Sequence, residues 1–333
     1  MLRDVLVWVT TGLVLGACHS SPAPSGTGAP VLPAGVGPLP SDAVVWAVGD
    51  TVHVGEQTIQ TGWPVRAMVV ASGRLFFLQG RSDVVRVSDG ASSRPTGFRT
   101  DELAASADGR FLGFLDQSEG WPWSSVVVDL ESGEVVVRDA AGMGDADDDL
   151  PDLYEDAEPR VLGFDGDDLY VKTASGNVVM SWNPLTGERT EHGDQFFFAR
   201  RAPGGGRVLP ALIRKGVLVV PRDPYRSTQW GPASPDGAVA LQSVAGRTRV
   251  YAVDGGRELP TDFPGRRFIL GGWTDPGTAY GVAFDGSPFG PHRVRLVSCR
   301  LTLEQRRCRV LSTIQPPRHE LVLFPTGSSA TDY

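Results

Sequence analysis

The three cysteines are the residues whose possible chemistry is easiest to read from this sequence. A thiol can carry a lipid, form a disulfide or bind a metal, and its surroundings decide which of these occurs. Cys18 lies near the start of the chain, whereas Cys299 and Cys308 lie close together near its end. The two regions therefore need separate explanations.

An uncharged apolar run from Val5 to Leu15 precedes the first cysteine. The run is too short for a membrane span of about twenty residues, and it has the length of the apolar region of a signal peptide. It leads into the small residues Gly16 and Ala17 and then Cys18. This segment resembles the lipobox of bacterial lipoproteins. The resemblance implies that signal peptidase recognises Leu15, Gly16 and Ala17 and that Cys18 carries a lipid that includes palmitate.

Residues 18–42 are dominated by Pro, Gly, Ser and Ala, so they have little to bury and are expected to form a disordered tether. Such a tether has a root-mean-square reach of about 25–30 Å. With residues 1–17 removed as a signal peptide, we expect a protein held by lipid on the extracytoplasmic face of the cell membrane. The alternative is an ordinary secretory signal followed by a chance cysteine.

The other two cysteines, Cys299 and Cys308, flank the segment Arg300–Arg307, which could turn back on itself and place the thiols opposite each other. Exported proteins meet oxidising conditions, so a disulfide is the favoured interpretation. Two reduced core cysteines are the alternative. A metal site would need more ligands than this pair supplies.

Charge is concentrated in one segment, residues 145–158, which holds eight acidic and no basic residues. Asp145, Asp147 and Asp149 are weak candidates for calcium ligands, but no Gly stands at the position that a calcium loop needs. A solvated insertion is the favoured interpretation, and we predict no metal. The remaining 31 acidic and 31 basic residues balance, which argues against a nucleic-acid partner.

The sequence contains no catalytic motif. Its five histidines are scattered, and neither a nucleophile elbow, a P-loop nor a dinucleotide-binding glycine pattern occurs. We therefore leave the catalytic residues unknown and predict no cofactor. Trp121 and Trp123, on either side of Pro122, are candidate contacts for a protein or glycan ligand, because aromatic side chains on loops dominate recognition. Alternatively, both rings pack one sheet against its neighbour.

Short apolar runs between Gly, Pro, Asp and Ser residues follow Ala43, a pattern typical of many short strands. Only Asp101–Ala107 and Leu301–Arg307 have a weak helical pattern. A turn followed by an apolar strand recurs at Gly73, Gly109, Gly166, Gly205, Gly237 and Gly277, at intervals of 36, 57, 39, 32 and 40 residues. The long interval contains the acidic segment.

A second turn type lies out of phase with the first, in Asp129–Glu134, Asn183–Glu188 and Asp254–Arg257. Gly accepts the positive φ of a tight hairpin, and Asp or Asn bonds back to the nearby backbone. Two alternating turn types with a period near 40 residues predict four-stranded antiparallel sheets repeated around an axis. The pattern resembles bacterial relatives of WD-repeat β-propellers, including the Tol-type periplasmic propeller.

The resemblance implies an all-β propeller over residues 43–325, followed by a disordered tail over residues 326–333. We predict seven blades, with six or eight as alternatives, and expect Glu320–Phe324 to return and complete the first blade. A pair of β-sandwiches is the competing fold.

This combination of tether and repeat favours a non-enzymatic scaffold that binds protein or glycan outside the membrane. The alternative is a propeller-type hydrolase, either a glycoside hydrolase or a lactonase, with its site in an axial funnel. Such sites gather carboxylates or histidines from several blades, so sequence spacing does not reveal them. Three or more carboxylates along the axis would favour the enzyme.

Overall fold

The computed structural model describes residues 39, 43–88, 93–144, 159–174, 178–193, 196–201, 204–285, 293–317 and 320–327. Within these residues the chain is all-β, as predicted, and its one helical segment is the short 3-10 turn Pro224–Arg226. Twenty-five strands form seven sheets, which we number 1 to 7 in chain order. Neighbouring strands of every sheet are antiparallel.

The first four sheets are built from consecutive strands. Sheet 1 contains β1 (Val45–Val48), β2 (Thr51–Val54) and β3 (Gln57–Gln60). Sheet 2 contains β4 (Val65–Ala71), β5 (Arg74–Gln79), β6 (Val84–Ser88) and β7 (Ser93–Arg99). Sheet 3 contains β8 (Ala104–Ala105), β9 (Phe111–Asp116), β10 (Ser124–Asp129) and β11 (Glu134–Asp139). Sheet 4 contains β12 (Arg160–Asp165), β13 (Asp168–Lys172), β14 (Val179–Trp182) and β15 (Arg189–His192).

The last three sheets are less uniform. Sheet 5 contains β16 (Val208–Arg214), β17 (Val217–Val219) and β18 (Gln229–Pro232), with β16 in the middle. Sheet 6 contains β19 (Val239–Val244), β20 (Arg247–Ala252) and β21 (Glu258–Leu259). Sheet 7 contains β22 (Arg267–Asp275), β23 (Thr278–Phe284), β24 (Val294–Leu301) and β25 (Arg306–Ile314). Sheets 2, 3, 4 and 7 therefore have the predicted four strands, whereas three strands are described in sheets 1, 5 and 6.

The two weakly helical segments of the sequence are extended instead. Asp101–Ala107 contains β8, whose Ala104 and Ala105 pair with Gly113 and Leu112. Leu301–Arg307 forms the hairpin between β24 and β25, in which the Thr302 backbone N–H donates to the Gln305 carbonyl. The helical prediction was wrong at both places because pairing with a neighbouring strand outweighs a weak local preference.

Four of the six predicted first-type turns lie at equivalent places, in sheets 2, 3, 4 and 7, and those at Gly205 and Gly237 precede the first strands of sheets 5 and 6. Gly73, Gly109, Gly166 and Gly277 each separate the first strand of a sheet from the second. In sheet 3 the hydroxyl of Ser106 donates to Asp108 at 2.6 Å, and it also accepts the backbone N–H of Phe111. The Ser234-Pro-Asp-Gly turn ahead of β19 has the same bonds. A local side-chain network therefore fixes the turn that the repeat predicted.

The second turn type joins the third and fourth strands and contacts the first type. Asp129, at the end of β10, accepts two hydrogen bonds from Arg110, which follows the Gly109 turn. In sheet 4, Asn183 donates to Asp168 at 2.7 Å from the corresponding positions. In sheets 3 and 4 the alternation of the two turns in the sequence thus reflects their contact at one end of the sheet.

Six clusters of buried apolar side chains join the sheets within the described residues, and each cluster joins two sheets. Five clusters link sheets 1 and 2, 2 and 3, 3 and 4, 5 and 6, and 6 and 7. The sixth links sheet 7 back to sheet 1, with Trp46 of β1 among residues of β23 and β24. Burial of one large apolar side chain contributes about 1.5–3 kcal/mol, so these clusters are a major source of stability.

The junction of sheets 4 and 5 is the exception. No buried apolar cluster joins these two sheets in the part of the chain that the structure describes. Ring and ion contacts occur there instead: Phe198 lies against Tyr170 with ring centroids 5.1 Å apart, and Arg207 pairs with Asp165 at 3.1 Å.

The C-terminal segment returns to sheet 1, as predicted from Glu320–Phe324. Leu323 and Ala47 exchange two backbone hydrogen bonds of 2.9 Å. The contacts continue to Gly327, two residues beyond the predicted boundary at 325, where its N–H donates to the Met68 carbonyl. Leu39, within the predicted tether, is also buried and donates to the Gly73 carbonyl at 2.7 Å.

Candidate functional site

A cavity of about 680 Å³ lies where the first strands of several sheets converge. Strands β1, β4, β8, β12 and β22 all contribute to its wall, together with the segments before β16 and after Leu323. Apolar and small residues cover much of the wall, including Val69, Ala104, Phe164 and Tyr280. A concave site of this size accommodates a small molecule or the end of a larger one.

The glycines at the inner end of sheet 5 bring the chain tightly against sheet 7. Gly204 has a φ of +83°, and a Cβ atom there would lie only 1.9 Å from the carbonyl oxygen of Trp273. A Cβ atom on Gly206 would lie 2.4 Å from the Trp273 indole nitrogen. Trp273 is buried and lines the cavity, so this glycine segment sets the position of one wall.

Two carboxylates line the cavity, and both already accept hydrogen bonds. Glu102 accepts the backbone N–H of Val161 at 2.9 Å, which ties sheet 3 to sheet 4. Asp108 accepts the hydroxyl of Ser106, and this bond, together with the backbone N–H of Arg110, holds the pKa of Asp108 below its usual value. Asp108 is therefore a structural anion in its turn.

Two arginines, Arg200 and Arg201, also line the cavity. Arg200 donates to the carbonyl oxygen of Thr326 at 2.8 Å, which holds the C-terminal segment in the cavity wall. Arg201 forms a short ion pair with Asp165, and Arg207 pairs with the same carboxylate at 3.1 Å. These contacts position the cations beside the cavity.

The described cavity wall combines two carboxylates, two arginines and apolar side chains. No histidine lines the cavity within the described residues, and they contain no group of three or more metal-ligating side chains. A general acid or base needs a carboxyl or imidazole placed to exchange a proton with the substrate. Both cavity carboxylates accept hydrogen bonds within the fold, both arginines likewise have partners within it, and the apolar wall supplies contact area.

The predicted disulfide between Cys299 and Cys308 is confirmed. The two residues lie directly opposite each other on β24 and β25. Cys299 is buried in the cluster between sheets 6 and 7, and Cys308 packs against that cluster. The bond is thus part of the core of sheet 7 and lies away from the cavity.

Trp121 and Trp123 lie on the loop between β9 and β10, and neither lines the cavity. Their rings meet edge to face with centroids 5.4 Å apart, and both are half-buried. Trp123 packs against the cluster that joins sheets 3 and 4. This contact accounts for the position of Trp123, and a role in ligand contact stays a prediction for both residues.

Several predicted site residues lie outside the described residues. They are the lipobox residues Leu15, Gly16, Ala17 and Cys18 and the weak metal candidates Asp145, Asp147 and Asp149. No helix in the described ranges is both long and apolar enough to cross a bilayer.

Sequence reasoning did not bring the cavity residues together at one site. Glu102, Arg200 and Trp273 are far apart in the chain and belong to no motif. One signal in the sequence could have identified them, namely the position of a residue relative to the recurring turns. Residues just before the first-type turns at Gly73, Gly109, Gly166 and Gly277 belong to first strands, and first strands form most of the cavity wall.

No protein-family model matches this sequence, and no curated protein matches it. Among solved structures, a putative TolB from Agrobacterium tumefaciens is similar at 13% identity and a TM-score of 0.38, over 84% of this chain and 96% of the other. A functionally unknown protein from Desulfotomaculum acetoxidans has 10% identity and a TM-score of 0.42, over 85% and 99%. Hydrazine synthase of Kuenenia stuttgartiensis has 14% identity and a TM-score of 0.39, over 79% and 90%. TM-scores below 0.5 do not establish a common fold, and identities this low do not indicate a common activity.

Proposed function

We propose that this chain is a lipid-anchored, extracytoplasmic β-propeller of seven blades that acts as a non-enzymatic scaffold for a protein or glycan ligand. Support for the propeller comes from the chain's own contacts. Seven sheets follow one another, the apolar clusters join sheet 7 back to sheet 1, and Leu323 pairs with β1. A sheet repeated around an axis has protected edges and places its first strands together.

The cavity is the observation that carries the choice of a binding function. Its two carboxylates, on Glu102 and Asp108, are held by hydrogen bonds within the fold, and no histidine lines its described wall. A hydrolase would need at least one such group poised for proton transfer. The apolar walls are better suited to hold a ligand that leaves unchanged.

Binding can be tested with soluble peptidoglycan fragments as the glycan probe and titration calorimetry as the readout. Thr274 is exposed at the cavity wall, and Thr274→Trp would fill the space beside it. We expect this variant to bind the probe about tenfold more weakly, whereas Thr313→Trp, on an exposed position of β25, would bind normally. Mass spectrometry of the same mixtures would reveal any cleavage. Cleaved fragments that vanish in Glu102→Gln would establish the hydrolase instead.

The anchor has a separate test. Cells producing wild type or Cys18→Ser would be labelled with a palmitate analogue, broken and washed at high salt to remove peripheral proteins. Wild type should retain label in the membrane fraction, and Cys18→Ser should be unlabelled and soluble. Ser25→Ala serves as the control, because it changes the same predicted tether and leaves Cys18 and the Cys299–Cys308 disulfide in place. A labelled or salt-resistant Cys18→Ser would disprove the anchor.

A further inference from the structure

One face of sheet 5 has exposed apolar residues on β17 and β18, although Pro210 in its centre is buried and Leu212 is half-buried. The pairing places Trp230 opposite Pro210, Val219 opposite Leu212 and Val217 opposite Arg214. Pro210, Leu212 and Arg214 alternate along β16, so their partners share one face of the sheet. The opposite face, with Ala211 and Leu218, is buried against sheet 6. We call the exposed side the sheet-5 face.

The concentration of exposed apolar side chains here is unusual for this molecule. Eleven large apolar residues are exposed within the described part of the chain, and five of them lie between residues 217 and 230. These are Val217 (42% exposed), Val219 (38%), Val220 (40%), Tyr225 (55%) and Trp230 (39%). Clustered exposed apolar residues mark an interaction surface, whereas scattered ones need no explanation.

Aromatic contacts hold part of the sheet-5 face in place. The ring of Phe197 stacks on Trp230 with centroids 4.5 Å apart, and it meets Tyr225 edge-on at 6.5 Å. The 3-10 turn that carries Tyr225 is capped by Asp223, whose carboxylate accepts the Tyr225 backbone N–H at 3.0 Å. The two exposed aromatic residues are therefore presented from a supported surface.

The same stretch of chain is rich in positive charge, and Arg214, opposite Val217, lies on the sheet-5 face itself. Residues 214–226 include four basic residues and one acidic residue. Arg226 pairs with the acidic one, Asp223, whereas Arg214, Lys215 and Arg222 form no ion pair with any described residue. All three of these side chains are exposed.

We propose that the sheet-5 face binds the surface of an anionic lipid bilayer. Trp and Tyr favour the bilayer interface, exposed Val side chains gain from burial among acyl chains, and basic residues are attracted to anionic head groups. A peptide that adds as a strand would need free backbone groups at the edge of β17, but the Leu218 N–H already donates to the Gly256 carbonyl. The proposal uses this face alone and stands without the lipid on Cys18.

The test uses the chain from residue 19 onward, which lacks the apolar run and Cys18, so that neither can cause binding. The removed residues supply none of the described contacts, all of which lie within residues 39–327. Sedimentation would be measured with vesicles of phosphatidylglycerol and phosphatidylcholine, with vesicles of phosphatidylcholine alone, and with soluble poly-glutamate as a competitor.

We expect binding to the anionic vesicles and at least tenfold less to neutral ones. Val219→Ser/Trp230→Ser should reduce partitioning about tenfold by removing apolar contacts, and Arg214→Gln/Arg222→Gln should reduce it about tenfold or more by removing charge. Trp63→Ser, which changes a 66% exposed Trp on another sheet junction, and Arg81→Gln/Arg247→Gln are matched controls and should bind as wild type.

Circular dichroism would show whether a strand variant is misfolded. In that case Tyr225→Ser, which lies outside the strands, provides an independent measurement of the contribution of the face to vesicle binding. Binding that is equal in wild type and all face variants would overturn the proposal. An absence of binding to any vesicle would also overturn the proposal. A third contrary result would be vesicle binding that poly-glutamate abolishes but that the Trp230 and Tyr225 variants leave unchanged. That third result would indicate an acidic protein partner. Since Cys18 is absent throughout, none of these failures bears on the lipid anchor.

Discussion

Sheets 3 and 5 come from the same repeat but have different surroundings. Sheet 3 has four strands, is buried on both faces by apolar clusters, and has its two turns joined through Arg110 and Asp129. Sheet 5 has three strands, one buried face and one exposed face. The comparison shows that one copy of a repeat can keep its position in the sequence period and still leave one of its faces unpacked. The unpacked face is then available for interaction.

From this comparison we expect the largest loss of stability for a substitution in the core of sheet 3. Phe114 on β9 is fully buried, with its ring 4.8 Å from that of Phe98. We expect Phe114→Ala to lower the free energy of unfolding by about 3–5 kcal/mol, because it removes apolar contacts and leaves a cavity. Trp230→Ala in sheet 5 removes a larger side chain but should cost less than about 1 kcal/mol. Urea unfolding of both variants measures the difference, and equal losses would contradict the contrast.

Sheet 5 is expected to be rigid at its inner end even though its outer face is open. Gly204→Ala would force a methyl group against the Trp273 carbonyl oxygen and also strain a residue with a φ of +83°. We expect a loss of about 2–4 kcal/mol from the combined clash and strain. Gly237→Ala is the matched control, since its φ is +70° with no atom within 4 Å of the new Cβ.

Strain alone should cost Gly237→Ala about 1 kcal/mol. Thermal unfolding of the two glycine variants separates the contributions, because only Gly204→Ala adds the clash. If both variants lose the same stability, the inner end of sheet 5 is not held against sheet 7 as the structure describes. The exposed face would then reflect a loosely attached sheet, not a supported surface.

Turn chemistry is the part of this fold that the sequence made predictable. Gly109 and Gly133 require positive φ angles of 73° and 76°, and both stand where the two predicted turn types occur in sheet 3. Ser, Asp and Gly act over a few residues, so their effect does not depend on the rest of the chain. For the same reason the cross-strand position of Cys299 and Cys308 could be predicted from a short hairpin.

The cavity and the sheet-5 face could not be predicted in this way. Glu102, Arg200 and Trp273 meet only because sheets distant in sequence surround one cavity. Val217–Val219 has the apolar composition of a buried strand, yet only Leu218 faces the core. Composition does not show which face of a strand a neighbouring sheet will cover, since that depends on tertiary packing.

The contact between Arg110 and Asp129, which joins the two turns of sheet 3, should contribute less to the free energy of unfolding than the core of that sheet. Asp129 is buried, and the hydrogen bond from Arg110 lowers the pKa of its carboxyl. A lowered folded pKa stabilises the protein above the unfolded value near 4, and this stabilisation is lost as the pH falls through the folded pKa. We expect Asp129→Asn to cost about 1–2 kcal/mol at pH 7.

The same variant makes a specific prediction about pH. The difference in unfolding free energy between wild type and Asp129→Asn should be constant from pH 7 to about pH 5 and should shrink below about pH 4. Urea titrations at each pH would measure it. A difference that persists unchanged at pH 3 would mean that shape, and not the charge on Asp129, joins the two turns.

The smallest effect is expected at the junction of sheets 4 and 5. Arg207 and Asp165 are both partly exposed and pair at 3.1 Å, and Asp165 also keeps its bond to Arg201. We expect Arg207→Ala to change the free energy of unfolding by less than about 0.5 kcal/mol, since solvent and salt screen exposed pairs. A double-mutant cycle with Asp165→Ala at low and high salt measures the coupling. A coupling energy above about 2 kcal/mol that does not fall at high salt would show that ion pairs hold this junction in place of an apolar cluster. Sheet 5 would then be held as firmly as sheet 3, but by ion pairs.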